Sequence, residues 1–316
     1  MPSASEISER VAHESDRRRR LSVPAFAGGF IYLLSGIIIS ETLKGAPTVG
    51  LLQGIEPALS GVADPAVSPR AAEVRFISHH ALSLIAGSVL AGIAIGALTL
   101  VLLLLVDVTR FRRPQSWSGT RPLVLFGGIS VAVVSIGHQV LSAILTHHFV
   151  VGHDFSGHAV ELALTKGTAN ELSDYLDLVA GLALAAGMIT TMVGAIRVGL
   201  LPRWMGVLGI FTGVLIFLPL GGVELEVVPS FWLVMMGLLC GERWPGGDPP
   251  AWPSGEARPW PTRADQRAAA QASDSKVLTA SGADVGPAPA QPDSGGSSRK
   301  RRRKRGARSG EGLRPE

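Results

Sequence analysis

Charge and cysteine are what this sequence has least of. Only 17% of its 316 residues are charged, against about 25% in ordinary soluble domains. That deficit excludes the surface of a typical soluble protein. The single cysteine, Cys240, excludes an intramolecular disulfide and any metal or iron–sulfur site built from several cysteines. Packing must therefore hold the fold, and most of the chain must lie in apolar surroundings.

Long apolar runs account for this composition. A helix needs roughly 20 apolar residues to cross the hydrocarbon core of a bilayer. Four runs reach that length, at 21–40, 81–106, 122–146 and 176–196. Two shorter runs follow at 204–220 and 227–240, and they form either two short spans or one re-entrant hairpin. The sequence predicts an all-α integral membrane bundle of six transmembrane helices, four long and two short, over residues 21–244.

The basic residues are unevenly divided between the segments that connect these runs. With six spans, 25 of the 29 Lys and Arg residues fall on the side of the two chain ends, and short basic loops stay in the cytoplasm. The hairpin alternative leaves both ends on that same side. We therefore predict a basic cytoplasmic N-terminus at 1–20, a cytoplasmic tail at 245–316 and a location in the bacterial plasma membrane. The first run is longer than the 7 to 15 apolar residues of a signal peptide, so we expect an uncleaved span.

The predicted tail differs in composition from the rest of the chain. Beyond residue 244 it is rich in Pro, Gly, Ala, Ser and Gln, which predicts disorder. Near its end lies a basic cluster made of Arg299, Lys300, Arg301, Arg302, Arg303, Lys304 and Arg305. Each such side chain gains about 1 kcal/mol near anionic inner-leaflet lipid. We therefore expect lipid contact, with nucleic-acid binding and a solvated tail as weaker alternatives.

Histidines concentrate at the predicted outer face. They lie at the ends of the second and third spans or in the following loop, with one aspartate among them: His79, His80, His147, His148, His153, Asp154 and His158. Three more polar residues, His138, Asp174 and Asp177, lie inside a predicted span or at the start of one. Imidazoles and carboxylates from several helices can bind a divalent metal, hold a haem or relay protons.

The spacing of these residues is not that of a known ligand set. The sequence has no HExxH motif and no paired Glu-x-x-His motifs. Histidines at helix ends are often interfacial polar residues, and His138 and Asp177 can simply form hydrogen bonds between helices. We therefore predict no cofactor and keep a metal-, haem- or proton-handling protein as an alternative.

Sequence templates for catalysis are also absent. There is no GxSxG motif, no Walker loop and no GxGxxG fingerprint. Stripes of small residues in several runs favour close helix packing within the bundle and do not by themselves indicate a homo-oligomer. The sequence identifies no catalytic residue and leaves enzymatic activity open. We predict a structural or small-ligand-binding bundle, whose one expected partner is the lipid bilayer. A small-solute transporter is the other alternative.

Several short segments carry a family resemblance. Residues 199–209, GLLPRWMGVLG, resemble the most recognisable segment of a family of bacterial multi-pass membrane proteins of unknown function. The later PPAW at 249–252, GEA at 255–257 and PWP at 259–261 look like the tail of its actinobacterial members. The resemblance covers about residues 21–261 and implies a six-helix bundle of the plasma membrane. It implies no activity, substrate or catalytic residue.

Overall fold

The regular secondary structure of the described residues is helical, without a strand. The computed structural model describes residues 4–50, 67–153, 155–162, 167–217, 223–245 and 247–260, and a few isolated positions outside these ranges. It contains eight helices: α1 Ala4–Leu43, α2 Ala71–Arg112, α3 Thr120–Gly152, α4 Gly157–Glu161, α5 Thr168–Val198, α6 Arg203–Phe217, α7 Val223–Cys240 and α8 Ala251–Ser254. The all-α prediction is confirmed. The basic cluster 299–305 lies outside the described residues.

Six of the helices correspond to the six apolar runs. Four of them, α1, α2, α3 and α5, are long and apolar enough to cross a membrane, and α6 and α7 are shorter apolar helices. The prediction of four long and two short helices is therefore confirmed. The polar N-terminus is not a separate segment, because residues 4–20 form the first turns of α1.

The six apolar helices form a closed ring. Each one packs against the next in the order α1, α2, α3, α5, α6, α7, and α7 returns to α1. A further contact between α2 and α5 crosses the middle of the ring. The buried core is built around that contact, from side chains such as Leu98 and Leu102 of α2 and Met188 and Met192 of α5.

Helix α7 lies antiparallel against α1. The Ser22 hydroxyl donates a hydrogen bond to the Gly237 carbonyl (2.9 Å), and further along α1 a Cβ added at Gly36 would overlap the carboxyl group of Glu226. From Ser22 to Gly36, α1 rises about 21 Å, which is about two-thirds of the roughly 30 Å hydrocarbon core. Although it is short, α7 therefore follows most of the depth of the first predicted span.

Glycines set the closest approaches between helices. A Cβ at Gly127 of α3 would lie 2.6 Å from the Leu184 Cα of α5, and a Cβ at Gly237 of α7 would lie 2.6 Å from the Phe26 backbone nitrogen of α1. Lipid supplies no hydrophobic drive for helix association, so such close contact is how membrane helices gain packing energy. These contacts agree with the expectation that small residues serve packing within the bundle.

The folded part of the chain extends past the predicted domain boundary. Residues 247–260 are described, and Ala251 and Trp252 are buried in the core of the bundle. The Trp252 indole Nε1–H donates a hydrogen bond to the Leu200 carbonyl (3.0 Å), and the Arg258 N–H donates to the Val198 carbonyl (3.0 Å). The prediction of disorder from residue 245 is thus wrong for 247–260, because one buried tryptophan anchors a segment of otherwise disorder-prone composition.

Candidate functional site

The histidines predicted for the outer face do not assemble into a metal centre in the part of the chain that the structure describes. No group of three or more His, Cys, Asp or Glu side chains there is placed to hold a metal ion. The Nδ1 of His80 lies 3.0 Å from the Phe76 carbonyl oxygen, and the two rings stack at 4.1 Å. His153 ends α3 in a left-handed conformation, with Nδ1 2.6 Å from the Val151 carbonyl oxygen. Asp154 lies outside the described residues.

The remaining histidines that the sequence predicts for the outer face lie on three different helices. His147 and His148 line a lateral groove of about 590 Å³ between α2 and α3, whose other lining residues are apolar apart from Ser78. His79 lies near the start of α2, and His158 lies in α4. The metal, haem and proton alternatives remain predictions.

The polar residues predicted inside the membrane form one interhelical contact. The Nδ1 of His138 in α3 lies 3.0 Å from the Ser173 hydroxyl of α5 and 4.0 Å from the Asp174 carboxylate. Asp177 follows about one turn later in α5. About two-fifths of the His138 side chain is exposed, so it lies at a helix seam and not in an enclosed cavity. This contact joins α3 to α5 by a polar bond, as expected for intramembrane polar residues.

At the opposite end of the ring, arginines of α1 bridge neighbouring helices. Arg17 donates to the Asp107 carboxylate of α2 at 2.8 Å, and Arg121 of α3 lies 3.3 Å from the same carboxylate. One aspartate thus links three helices at the level where the apolar runs end. The arginine run of the N-terminus is therefore part of the folded structure.

The next arginines along α1 contact the chain after α7. Arg18, whose side chain is 3% exposed, lies 2.8 Å from the Asp248 carboxylate. Arg19 donates to Glu242 at 2.8 Å. That hydrogen bond, together with the nearby positive charge of Arg18, holds the pKa of the Glu242 carboxyl below its usual range. Glu242 consequently remains ionised and paired at neutral pH.

A fully buried arginine lies at the centre of this end. The Arg112 side chain has no exposed surface and forms an ion pair at 2.8 Å with Glu14, which is itself 10% exposed. Arg112 also donates to the Ala251 carbonyl (3.0 Å). Both Arg18 and Arg112 lie over the Trp252 ring, at 4.9 and 5.8 Å from its centre. Cations and tryptophan here attract each other in a desolvated setting.

One small cleft at this end differs from the ion pairs because its arginines have no acidic partner. It encloses about 260 Å³ between the last turn of α2, the α2–α3 loop, the first residue of α3 and the last turns of α5. Its charged lining residues are Arg110, Arg113 and Arg197, and no carboxylate lines it. In the described ranges, none of these three arginines makes an ion pair. All three are exposed, and Arg110 also lines the mixed-charge cleft beside α1. The lining of the small cleft itself carries a net positive charge.

The larger cavities of the described structure, among them the lateral groove of His147 and His148, have no cluster of arginines without acids. A cleft of about 910 Å³ beside α1 is lined by both signs of charge. Its acids include Glu6, Glu9 and Asp107, and its arginines are Arg10, Arg17 and Arg110, the last of which it shares with the small cleft. A groove of about 670 Å³ between α1, α2 and α3 is apolar apart from one threonine. In the first cleft, the acids can balance the arginines, so no excess of positive charge is left for a ligand. The apolar lining of the groove suits contact with lipid tails. The arginine-lined cleft is the candidate ligand site.

In the sequence, the residues of this cleft carry only a topology signal. Arg110, Arg113 and Arg197 count among the basic residues of short loops, where every arginine has equal weight. The shortage of acids is a signal that could have indicated unpaired arginines, since Asp107 is the only acidic residue between the second and third apolar runs. Sequence reasoning also missed Glu226, whose Oε2 is buried against α1 without a hydrogen-bond partner among the described residues.

Comparisons of the chain with protein-family models, with curated proteins and with solved structures found no match.

Proposed function

We propose that the protein is a small-ligand-binding helical bundle of the bacterial plasma membrane, with both chain ends in the cytoplasm and its ligand cleft at the cytoplasmic end. The observation that carries this proposal is the arginine-lined cleft, where Arg110, Arg113 and Arg197 surround a space without any carboxylate. Elsewhere at this end, Arg17, Arg18, Arg19 and Arg112 are each paired with an acid. Unpaired positive charge around a cleft favours an anionic ligand.

The orientation is supported by which segments meet at the arginine end. The N-terminal part of α1, the α2–α3 loop, the α5–α6 loop and the segment after α7 all meet there, through contacts such as Arg17–Asp107 and Arg258–Val198. These are the segments that the positive-inside pattern assigns to the cytoplasm. The basic cluster 299–305 would then lie next to the inner leaflet, where we propose that it contacts anionic lipid.

Cysteine labelling tests the orientation directly, because the native Cys240 is buried and should give little background. Thr48 and Ser118 are exposed positions on opposite ends of the bundle, and each is replaced by cysteine in turn. In intact cells, a membrane-impermeant maleimide should label Thr48→Cys and should label Ser118→Cys only after permeabilisation. Labelling of Ser118→Cys in intact cells would refute the cytoplasmic placement of the cleft.

A further inference from the structure

The arginine-lined cleft has the size of a site for one small group. Pockets for whole small molecules usually enclose about 300–1,000 Å³, and this cleft encloses about 260 Å³. The three arginine side chains come from two helices and a loop end, so they surround the space from different directions. A compact anion, or the anionic head of a larger molecule, fits these dimensions.

Two buried hydroxyl groups in the lining have no partner within the described structure. Thr109 is 5% exposed and its Oγ1 makes no hydrogen bond, and the Oγ of Ser116 is likewise buried without a partner. Both residues line the cleft. A buried hydroxyl without a partner is destabilising, so a ligand oxygen that accepts hydrogen bonds from these groups would remove a penalty that the free protein carries.

The neighbouring hydroxyls are already engaged. Thr190 donates to the Ala186 carbonyl at 2.8 Å and Thr191 donates to the Gly187 carbonyl at 2.6 Å. Thr120, the first residue of α3, donates to the Trp117 carbonyl at 3.2 Å. Of the hydroxyl groups that line the cleft, those of Thr120, Thr190 and Thr191 are therefore satisfied, whereas those of Thr109 and Ser116 have no partner within the described structure.

We propose that this cleft binds a phosphate group, held by the guanidinium groups of Arg110, Arg113 and Arg197 and by the hydroxyls of Thr109 and Ser116. Arginine presents several N–H donors in a planar fork that matches the oxygens of phosphate. The inference rests on the proposed ligand-binding function and names its ligand class. The phosphate group can be free, as inorganic phosphate, or can belong to a phosphomonoester lipid headgroup. The lipid source is considered because the exposed Trp117 ring also lines the cleft, and tryptophans in membrane proteins often contact lipid headgroups.

Calorimetric titration tests the site with the full chain in nanodiscs of neutral phosphatidylcholine. Inorganic phosphate should bind saturably to the parent protein. The variant Arg110→Gln/Arg113→Gln/Arg197→Gln should bind about ten- to a hundredfold more weakly, because it loses the charged hydrogen bonds. A matched control, Lys44→Gln/Arg70→Gln/Arg75→Gln, removes the same charge from the opposite end and should bind like the parent.

A second pair of variants keeps the test valid if the triple variant fails to fold. Thr109→Val removes a free hydroxyl at constant shape and should weaken binding by a few fold. Thr190→Val removes a hydroxyl that already donates to its own helix, and it should leave phosphate affinity unchanged. Equal effects of the two substitutions would contradict the assigned roles of these hydroxyls.

The source of the phosphate is resolved by repeating the titration in nanodiscs that contain phosphatidic acid. A higher apparent Kd for free phosphate there than in nanodiscs given the same surface charge with phosphatidylglycerol, a phosphodiester lipid, assigns the cleft to a phosphomonoester lipid headgroup. An unchanged Kd assigns it to a soluble phosphate compound. Absence of saturable phosphate binding in both kinds of nanodisc would overturn the inference. The cysteine-labelling result is independent of these titrations, so failure of the orientation and failure of the phosphate site are distinguishable.

Discussion

At the residue scale, arginines at the same end of the bundle have different roles, in stability or in binding, because their surroundings differ. Arg112 is fully buried and paired with Glu14. Arg110, two residues earlier, is exposed, makes no ion pair in the described structure and lines both the small cleft and the mixed-charge cleft beside α1. A buried charge is tolerated only when its partner and hydrogen bonds are present. Arg112 should therefore matter to stability, and Arg110 to binding.

We predict that Arg112→Ala destabilises the protein by about 3–5 kcal/mol, because it leaves the Glu14 carboxylate buried without its cation. Equilibrium unfolding in mixed detergent micelles, followed by tryptophan fluorescence, measures the loss. The double variant Arg112→Met/Glu14→Leu should recover most of it, because no unpaired charge then remains.

An exposed ion pair supplies the control. Lys44 pairs with Glu41 at the other end of α1, and both side chains are more than 60% exposed. Lys44→Ala should therefore change the unfolding free energy by no more than about 1 kcal/mol. If Arg112→Ala unfolds as easily as Lys44→Ala, the buried pair does not have the assigned role.

At the scale of single helices, the sequence predicts which helices exist and where their apolar parts lie, but not the buried face of each helix or its polar ends: α1 and α2 begin well before their apolar runs. In a soluble helix the apolar stripe marks the core, but in lipid both the core and the outer surface are apolar. Leu98 and Leu100 of α2 illustrate this, since Leu98 is 1% exposed and Leu100 is 48% exposed. The four long helices could be found from run length alone, while the order of helices around the ring could not.

Contacts at individual glycines show where two helices pack closely, and α3 contains a pair of glycines, Gly127 and Gly137, that differ in this respect. A Cβ at Gly127 would lie 2.6 Å from the Leu184 Cα of α5, whereas a Cβ at Gly137 would meet nothing within 4 Å. We predict that Gly127→Ala destabilises the bundle by about 1–3 kcal/mol through overpacking. Gly137→Ala should be neutral or stabilising by up to about 1 kcal/mol, because alanine is the better helix former.

The same unfolding measurement distinguishes the two glycine substitutions, and retention of a monodisperse peak in detergent checks that each variant still folds. Equal unfolding free energies for Gly127→Ala and Gly137→Ala would mean that the close approach of α3 to α5 does not contribute to stability.

At the scale of the whole molecule, a segment whose composition predicts a disordered tail packs against the arginine end of the bundle. Pro, Gly, Ala, Ser and Gln are abundant after residue 244, and composition is an average over many residues. Such an average does not show that a single residue, Trp252, donates to the Leu200 carbonyl and lies over two arginines. The candidate cleft was hidden for a related reason, since a charge count does not show which arginines lack partners.

A pair of truncations tests the placement of this boundary. A chain ending at Trp260 keeps every described contact of Trp252 and Arg258, so its unfolding free energy should match that of the full chain. A chain ending at Trp244 loses the burial of Trp252 and the hydrogen bond to Leu200, and it should be destabilised by at least about 3–5 kcal/mol, as for removal of a buried tryptophan side chain.

The point variant Trp252→Ala should reproduce most of that loss in an otherwise complete chain. Because Arg112 would also lose its Ala251 acceptor in the shorter chain, the truncation should exceed the point variant. If the chains ending at Trp244 and at Trp260 unfold at the same denaturant concentration, residues 247–260 do not stabilise the bundle, and the boundary predicted at residue 245 is the right one.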